Sequence, residues 1–211
     1  KKAQILDAGC GTGKTIQVLE KKGYDVKGID YSLKAVNFCK SRRLKNVKHA
    51  SILDIPYSRN SFDVVLCIDV LTVFSEADIN RAIKESYRVL KPGGYFFLQC
   101  AALEFLRSQH DVVANIKKRY TKKELENYFK IDEWTMVKSS YRVFFLFPLL
   151  ALFKIVKRLK NKKTSESNTD QVILFKPINE LLTNIQLMEN KLFQQRGLPI
   201  GSSLFMICQK K

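Results

Sequence analysis

No Cys-x-x-Cys pair occurs in this sequence, histidine appears only twice, and no apolar run exceeds the 11 residues of Val143–Phe153. Each shortage excludes a class. The five cysteines stand singly and mostly in or beside apolar runs. They read as buried free thiols, which removes disulfide frameworks and zinc sites and suits a reducing cytoplasm. No other cluster of metal-ligating residues is visible. A spanning helix needs about 20 apolar residues, so Val143–Phe153 is too short to cross a bilayer. No secretory signal is visible within these residues. Acids are scarce as well, with 20 Asp and Glu against 37 Lys and Arg and a net charge of +17. Residues 114 to 163 carry much of that excess. It reads either as a solvated basic surface or as a site for an anionic partner such as lipid headgroups, a phosphorylated substrate or nucleic acid. The apolar share of 45% indicates a folded domain with a sizeable core.

What is present begins at Ile5, with the stretch ILDAGCGTG. Ala3–Leu6 suits a buried strand, Gly9, Gly11 and Gly13 alternate after Asp7, and Lys14–Lys21 takes on helical spacing. A strand, a glycine turn and a helix bring backbone N–H groups close to a nucleotide-like ligand. Three ligands compete for such a turn. A phosphate-binding Walker loop requires a glycine where Ala8 stands. A dinucleotide fingerprint has a different glycine spacing, and Asp7 would repel a pyrophosphate. An acid there instead accepts hydrogen bonds from an ammonium group, so a ligand with an amino-acid end and a nucleoside end fits best. S-adenosylmethionine is such a ligand.

Further along, Tyr24–Ile29 reads as a second strand ending in Asp30, spaced to take two ribose hydroxyls, with Tyr31 placed to lie against an adenine. Ser32 caps a helix over Leu33–Arg42. Val47–Ile52 reads as a third strand, with Asp54 beyond it suited to the adenine amine. A fourth strand follows in VVLCIDVL, then an amphipathic helix over Glu76–Leu90. Lys91–Gly94 is a breaker, and Tyr95–Gln99 is a fifth strand. Strands alternating with helices call for a parallel sheet covered on both faces. Thr121–Phe129 is expected to be helical, capped by Thr121 and Glu124. Ile131–Ser140 is a sixth strand, Thr164–Asp170 a polar loop, Ile178–Gln195 a helix, and Ser203–Gln209 the last strand.

LDAGCGTG, GIDYS, NSFDVV and RVLKPGG, in this order, resemble the class I S-adenosylmethionine-dependent methyltransferases of the type 11 group. The resemblance implies an α/β, Rossmann-like open twisted sheet of seven mostly parallel strands, with helices on both faces and an α-helical insertion before the last strand. The domain reading is a core of residues 1–140 plus 202–211 and an insertion or lid over 141–201. The cofactor implied is S-adenosyl-L-methionine, its methionine end at Asp7, Gly9, Gly11 and Gly13, its ribose at Asp30 and its adenine at Asp54. Cys10, Tyr31, Ile55 and Cys67 complete the expected cofactor contacts. In place of the family's frequent E-V-L-E-H-V the chain has DVLTVF, so Asp69 matches the acid and Val73 stands at the histidine.

The second half resembles a subgroup of bacterial methyltransferases associated with polysaccharide and glycolipid pathways. Asp111, Arg119, Tyr120 and Thr121 match its D-x-x-x-x-H-x-R-R-Y-T pattern, Lys118 replaces an arginine, and Ile116 occupies the histidine position. Phe147-Pro148, PINELL and LPIGSSL match later features. The expected activity is methyl transfer to a small-molecule, glycan-linked or lipid-linked acceptor. An RNA methyltransferase and a degenerate cofactor-binding scaffold are the alternatives. The missing Asn-Pro-Pro-Tyr motif argues mildly against base N-methylation. Candidates for a base or acceptor contact are His110, Asp111 and Tyr120, with Arg119 and Phe147 as acceptor contacts.

The apolar run followed by Lys154, Lys157, Arg158, Lys160, Lys162 and Lys163 has two readings: a lid helix packed over the acceptor pocket, which is favoured, or a segment lying in a membrane interface. In either, the basic end is expected to face outward, where an anionic or lipid-linked acceptor, or an anionic membrane at its inner, cytoplasmic face, would meet it. The sequence opens without Met and almost directly on the first strand. A preceding segment that orders when cofactor and acceptor bind is therefore expected in the intact protein.

Overall fold

Strands of this chain bury themselves by where their apolar residues fall, and seven of them join one sheet. The computed structural model describes residues 2–130, 132–149, 151–152, 156, 175–192 and 197–211. In chain order the strands are β1 (Gln4–Ala8), β2 (Asp25–Asp30), β3 (Val47–His49), β4 (Phe62–Ile68), β5 (Leu90–Ala101), β6 (Trp134–Arg142) and β7 (Ser203–Lys210). The helices are α1 (Lys14–Lys21), α2 (Leu33–Ser41), α3 (Glu76–Val89), α4 (Gln109–Val113), α5 (Lys122–Glu126) and α6 (Lys176–Leu192).

The sheet order is β3-β2-β1-β4-β5-β7-β6. The first five strands run parallel to their neighbours, and β7 enters antiparallel between β5 and β6. Alternation along β1 divides the core. Ile5 packs with Ile16 of α1 and Val36 and Cys39 of α2, whereas Leu6 joins the cluster holding Ile79, Ala82 and Ile83 of α3. Successive strand side chains point to opposite faces, so each face acquires its own helical cover. The strand order reverses between β1 and β4, which places the ligand crevice of an open α/β sheet at their carboxyl ends.

Local capping matches the sequence reading. Ser32 accepts the Ala35 N–H at the start of α2, and Thr121 and Glu124 form a reciprocal capping box on α5. All five cysteines are buried and free. Several boundaries differ. β1 runs on through Asp7 to Ala8, β3 stops at His49 rather than Ile52, and α5 ends at Glu126 rather than Phe129. The helix α3 does stop at Val89, just ahead of the Lys91–Gly94 breaker, but β5 begins at Leu90 rather than Tyr95, because a register shift opposite Phe62 and Val64 absorbs these residues within the strand. Gly93 supplies φ of 76° there, and Lys91 Nζ meets Asp63 Oδ1 at 2.8 Å. β6 begins at Trp134, after a turn in which the Trp134 N–H donates to the Lys130 carbonyl.

Residues 147–149 and 151–152 are helical. The buried Glu189 of α6 accepts the N–H groups of Val143 at 2.8 Å and Phe145 at 3.1 Å, which ties α6 to the end of β6. The cations expected to form a basic lid end, from Lys154 to Lys163, lie outside the described residues, as does Thr164–Asp170. Among the described residues, no helix is long and apolar enough to cross a membrane.

Candidate functional site

The glycine turn leaves β1 and crosses to β2, where the N–H groups of Gly9 and Cys10 both donate to the Ile29 carbonyl. Gly9 adopts φ of 93°, and a Cβ there would run into the Val70 side chain, so both conformation and space require glycine. The Gly11 N–H donates to Asp30 Oδ2 at 2.7 Å, while the Ser32 N–H donates to Oδ1 at 2.8 Å. The carboxylate of Asp30 therefore holds the loop and the start of α2 together. The Gly11 carbonyl accepts from Cys39 Sγ, which pins the loop from below.

Asp7 lies beneath this loop and is 2% exposed. Its Oδ2 has no hydrogen-bond partner among the described residues. Burial, then repulsion from Asp30, raises its pKa to about 7. A buried carboxylate with an orphaned oxygen, set behind loop N–H groups, suits a ligand ammonium group. The residues present therefore fit the amino-acid end of S-adenosylmethionine, whose ammonium Asp7 would hold and whose ribose hydroxyls Asp30 would face.

Beside the loop is a cavity of about 530 Å³, whose walls include Gly9, Asp30, Tyr31, Ser51, Asp69 and Val73. Tyr31 is 81% exposed at its rim. Asp54 is not among the lining residues. β3 ends early, and a tight turn from Ser51 to Asp54 carries the Asp54 carboxylate out to solvent and leaves Ser51, Ile52 and Leu53 facing the cavity. Ile55 is core instead, its N–H donating to Glu85 Oε2. Cys10 and Cys67 also point into the core. Strand alternation turns Cys67 toward the α3 layer, and Cys10 packs with Ile16 and Cys39.

A second cavity, of about 370 Å³, adjoins Asp69 on the other side. Its walls include His110, Asp111, Arg119, Ser202 and Ser203. Arg119 grips Asp111 with two hydrogen bonds of 3.0 and 2.8 Å and also donates to the Ala102 carbonyl. Asp111, fully buried, accepts the Ser108 N–H as well. The two expected functional residues thus neutralise each other, and Asp111 is no free base. Breaking the pair leaves a buried guanidinium uncompensated. Asp111→Ala is expected to cost about 3 kcal/mol of stability by denaturant titration, and an unchanged midpoint would refute that role.

Tyr120 lines neither cavity. It is buried in the core, its ring edge-on to Tyr128, and burial pushes its phenol pKa up. Phe147 packs edge-on to Phe105, away from the lining of both cavities.

Asp69 is the residue that the two cavities share. It directly follows β4, with φ of 58°, a left-handed conformation unusual outside glycine. Its N–H donates to the Gln99 carbonyl, and Gln99 also bonds its side chain. The carboxyl is open to solvent in the crevice, yet the surrounding walls raise its pKa, with Gln99 and Arg119 pulling the other way. The sequence signal for Asp69 was an acid directly after an apolar strand, the same signal that marks Asp30. Ser202 and Ser203 lie in LPIGSSL, which the sequence marked only as a feature of the resemblance, and the return of β7 beside β5 is what brings them here.

The Asp30 arrangement yields a test. Asp30→Ala removes the acceptor for Gly11 and the group facing the ribose site. It is expected to weaken S-adenosylhomocysteine binding by about 2 kcal/mol in calorimetry. Unaltered affinity in a folded variant would refute the assignment.

A family profile described as "Methyltransferase domain" matches residues 6–98. An uncharacterized protein of Methanocaldococcus jannaschii is 30% identical over 83% of this chain and 78% of its own length. A probable tRNA methyltransferase 9B of Bos taurus is 37% identical over 47% of this chain but 22% of its own. The chain spans less than half of several curated relatives, 49% in the case of another M. jannaschii protein. Among solved structures, a SAM-dependent methyltransferase from Archaeoglobus fulgidus superposes with a TM-score of 0.64 at 17% identity, covering 99% of this chain and 86% of the other.

Proposed function

The chain belongs to the class I S-adenosylmethionine-dependent methyltransferases of the type 11 group, and we propose that it methylates a small polar acceptor seated in the Asp69–Arg119 cavity. One observation carries the reading: the cavity beside the glycine loop and the second cavity meet at a single solvent-accessible carboxylate, Asp69. When bound, S-adenosylmethionine supplies an electrophilic methyl group on a sulfonium. The protein's own part is to hold, orient and deprotonate.

Asp7 and the glycine loop hold the amino-acid end, and Asp30 holds the ribose. Asp69 faces the acceptor side, where it accepts a proton from a hydroxyl or amine. Val73, which stands at the position of the family's frequent histidine, faces the first cavity, so that side chain supplies no base. Ser202 and Ser203 offer hydroxyls, and because Asp111 and Arg119 neutralise each other, Asp69 is the uncompensated carboxylate of the second cavity. Such a cavity suits a small polar unit, either free or as the head of a glycan-linked or lipid-linked carrier. An RNA unit is the second reading, favoured by the unpaired cations near the crevice rim described below.

Two experiments test the function. Calorimetry with S-adenosylhomocysteine is expected to show binding. Turnover with labelled S-adenosylmethionine then compares a panel of sugars, lipid-linked saccharides, small amines and tRNA. Failure to bind S-adenosylhomocysteine would overturn the reading, and methylation of tRNA alone would transfer it to the RNA alternative.

A further inference from the structure

Between Asp30 and Asp54 the chain contains no acid, yet it carries Lys34, Lys40, Arg42, Arg43, Lys45 and Lys48. All are exposed, and none takes part in an ion pair among the described residues. They lie on α2, on the turn after it and on β3, the edge strand of the sheet. Their positive charge is therefore concentrated along one edge of the molecule rather than spread over it.

Aromatic rings stand among these cations. Phe38 is 46% exposed, with the Arg42 guanidinium 4.6 Å from its ring centre. Tyr31 lies at the rim of the first cavity, and its carbonyl is 2.7 Å from His49 Nε2 on β3. The basic edge is thus continuous with the mouth of the site.

We propose that this edge, formed by α2, the turn after it and β3, is a docking surface for single-stranded RNA, with the cations on phosphates and Phe38 and Tyr31 against bases. Unpaired cations release counterions when they meet a phosphate backbone, and exposed rings provide stacking platforms that tolerate any base. A lipid surface fits less well, because Val36 and Cys39 of α2 are buried against the sheet, and its exposed apolar residues, Leu33 and Phe38, stand on different sides of the helix and form no continuous stripe for insertion. The proposal is separate from the acceptor reading, since RNA held here extends past the crevice whether or not it supplies the methylated atom.

Fluorescence anisotropy with a labelled oligouridylate of roughly 20 nucleotides tests the proposal on the protein as it stands. Binding is expected to fall as salt rises, with a log–log slope of about −0.7 for each phosphate contacted. A Lys34→Glu/Lys40→Glu/Lys45→Glu/Lys48→Glu variant is expected to bind at least about tenfold more weakly. A control of equal charge, Arg81→Glu/Lys84→Glu/Lys123→Glu/Lys191→Glu, is expected to retain most of the affinity. Phe38→Ala is expected to weaken oligouridylate by about fivefold or more while leaving inorganic polyphosphate binding unchanged. S-adenosylhomocysteine affinity, measured in parallel, is expected to hold in every variant, which separates this surface from the cofactor site. Equal weakening by the control variant overturns the proposal, as does absence of salt-dependent binding. Tighter, patch-dependent binding to phosphatidylserine vesicles than to RNA reassigns the surface to lipid and equally overturns it.

Discussion

Asp7→Asn is expected to stabilise the ligand-free protein at pH 8 and, in the same molecule, to cripple cofactor binding. The Asp7 pKa rises from 3.8 to about 7 on folding. Below the unfolded value both states hold the proton, and no penalty exists. As pH rises toward 7 the unfolded chain ionises while the folded one keeps its proton, so stability falls across that window and levels off above it. The accumulated penalty is on the order of 4 kcal/mol, at 1.36 kcal/mol for each pH unit. Asparagine keeps the shape and never bears the charge. Denaturant titration at pH 8 is expected to show the variant ahead by a few kcal/mol and the two proteins converging near pH 4. Equal stability at pH 8 would end the argument.

Binding runs the opposite way, because an ammonium group needs the ionised carboxylate. Wild-type affinity for S-adenosylhomocysteine is expected to rise about tenfold per pH unit from pH 5 toward 7 and then to plateau. The asparagine variant is expected to show no such limb and to bind about 10- to 100-fold more weakly at pH 8. Calorimetry over that range checks both statements.

Asp69→Asn carries the second large effect. A positioned general base contributes about 10²–10⁴ in rate, so turnover at saturating cofactor is expected to fall by that order. S-adenosylhomocysteine affinity is expected to stay within about twofold, since no cofactor bond is assigned to the carboxylate. The wild-type rate is expected to rise with pH through the raised Asp69 pKa and then level, and the variant to lose this limb. An NMR titration of labelled aspartate carboxyls reads the same ionisation without turnover, and its signal is expected to vanish in the variant. Asp69→Gly adds a control. It relieves the left-handed backbone, so it is expected to be at least as stable as wild type and just as inactive as Asp69→Asn. Full activity in either variant would remove Asp69 from the mechanism.

The sequence alone determined whatever is encoded within a few residues. The order of strands and helices, the caps at Ser32 and Thr121, the bounds of α1 and the glycine turn all follow from local periodicity, hydroxyl caps and glycine conformation. The placement of Asp30 at the end of β2 followed too, since a strand-end acid after a glycine turn is a short-range pattern. Tertiary structure decided what depends on direction. Asp54 and Ser51 are three positions apart, and only the turn between them sets which one faces the cavity. Cys67 lies on β4 and Asp69 just past its end, where the left-handed backbone at Asp69 turns that side chain into the crevice while Cys67 stays in the core. Arg119 folds back onto Asp111 across the loop that follows α4, and Ser202 and Ser203 reach the cavity beside His110 from a segment far along the chain. Such contacts form because whole elements bury their apolar faces together, and no local pattern records where a distant strand will bring its polar ends.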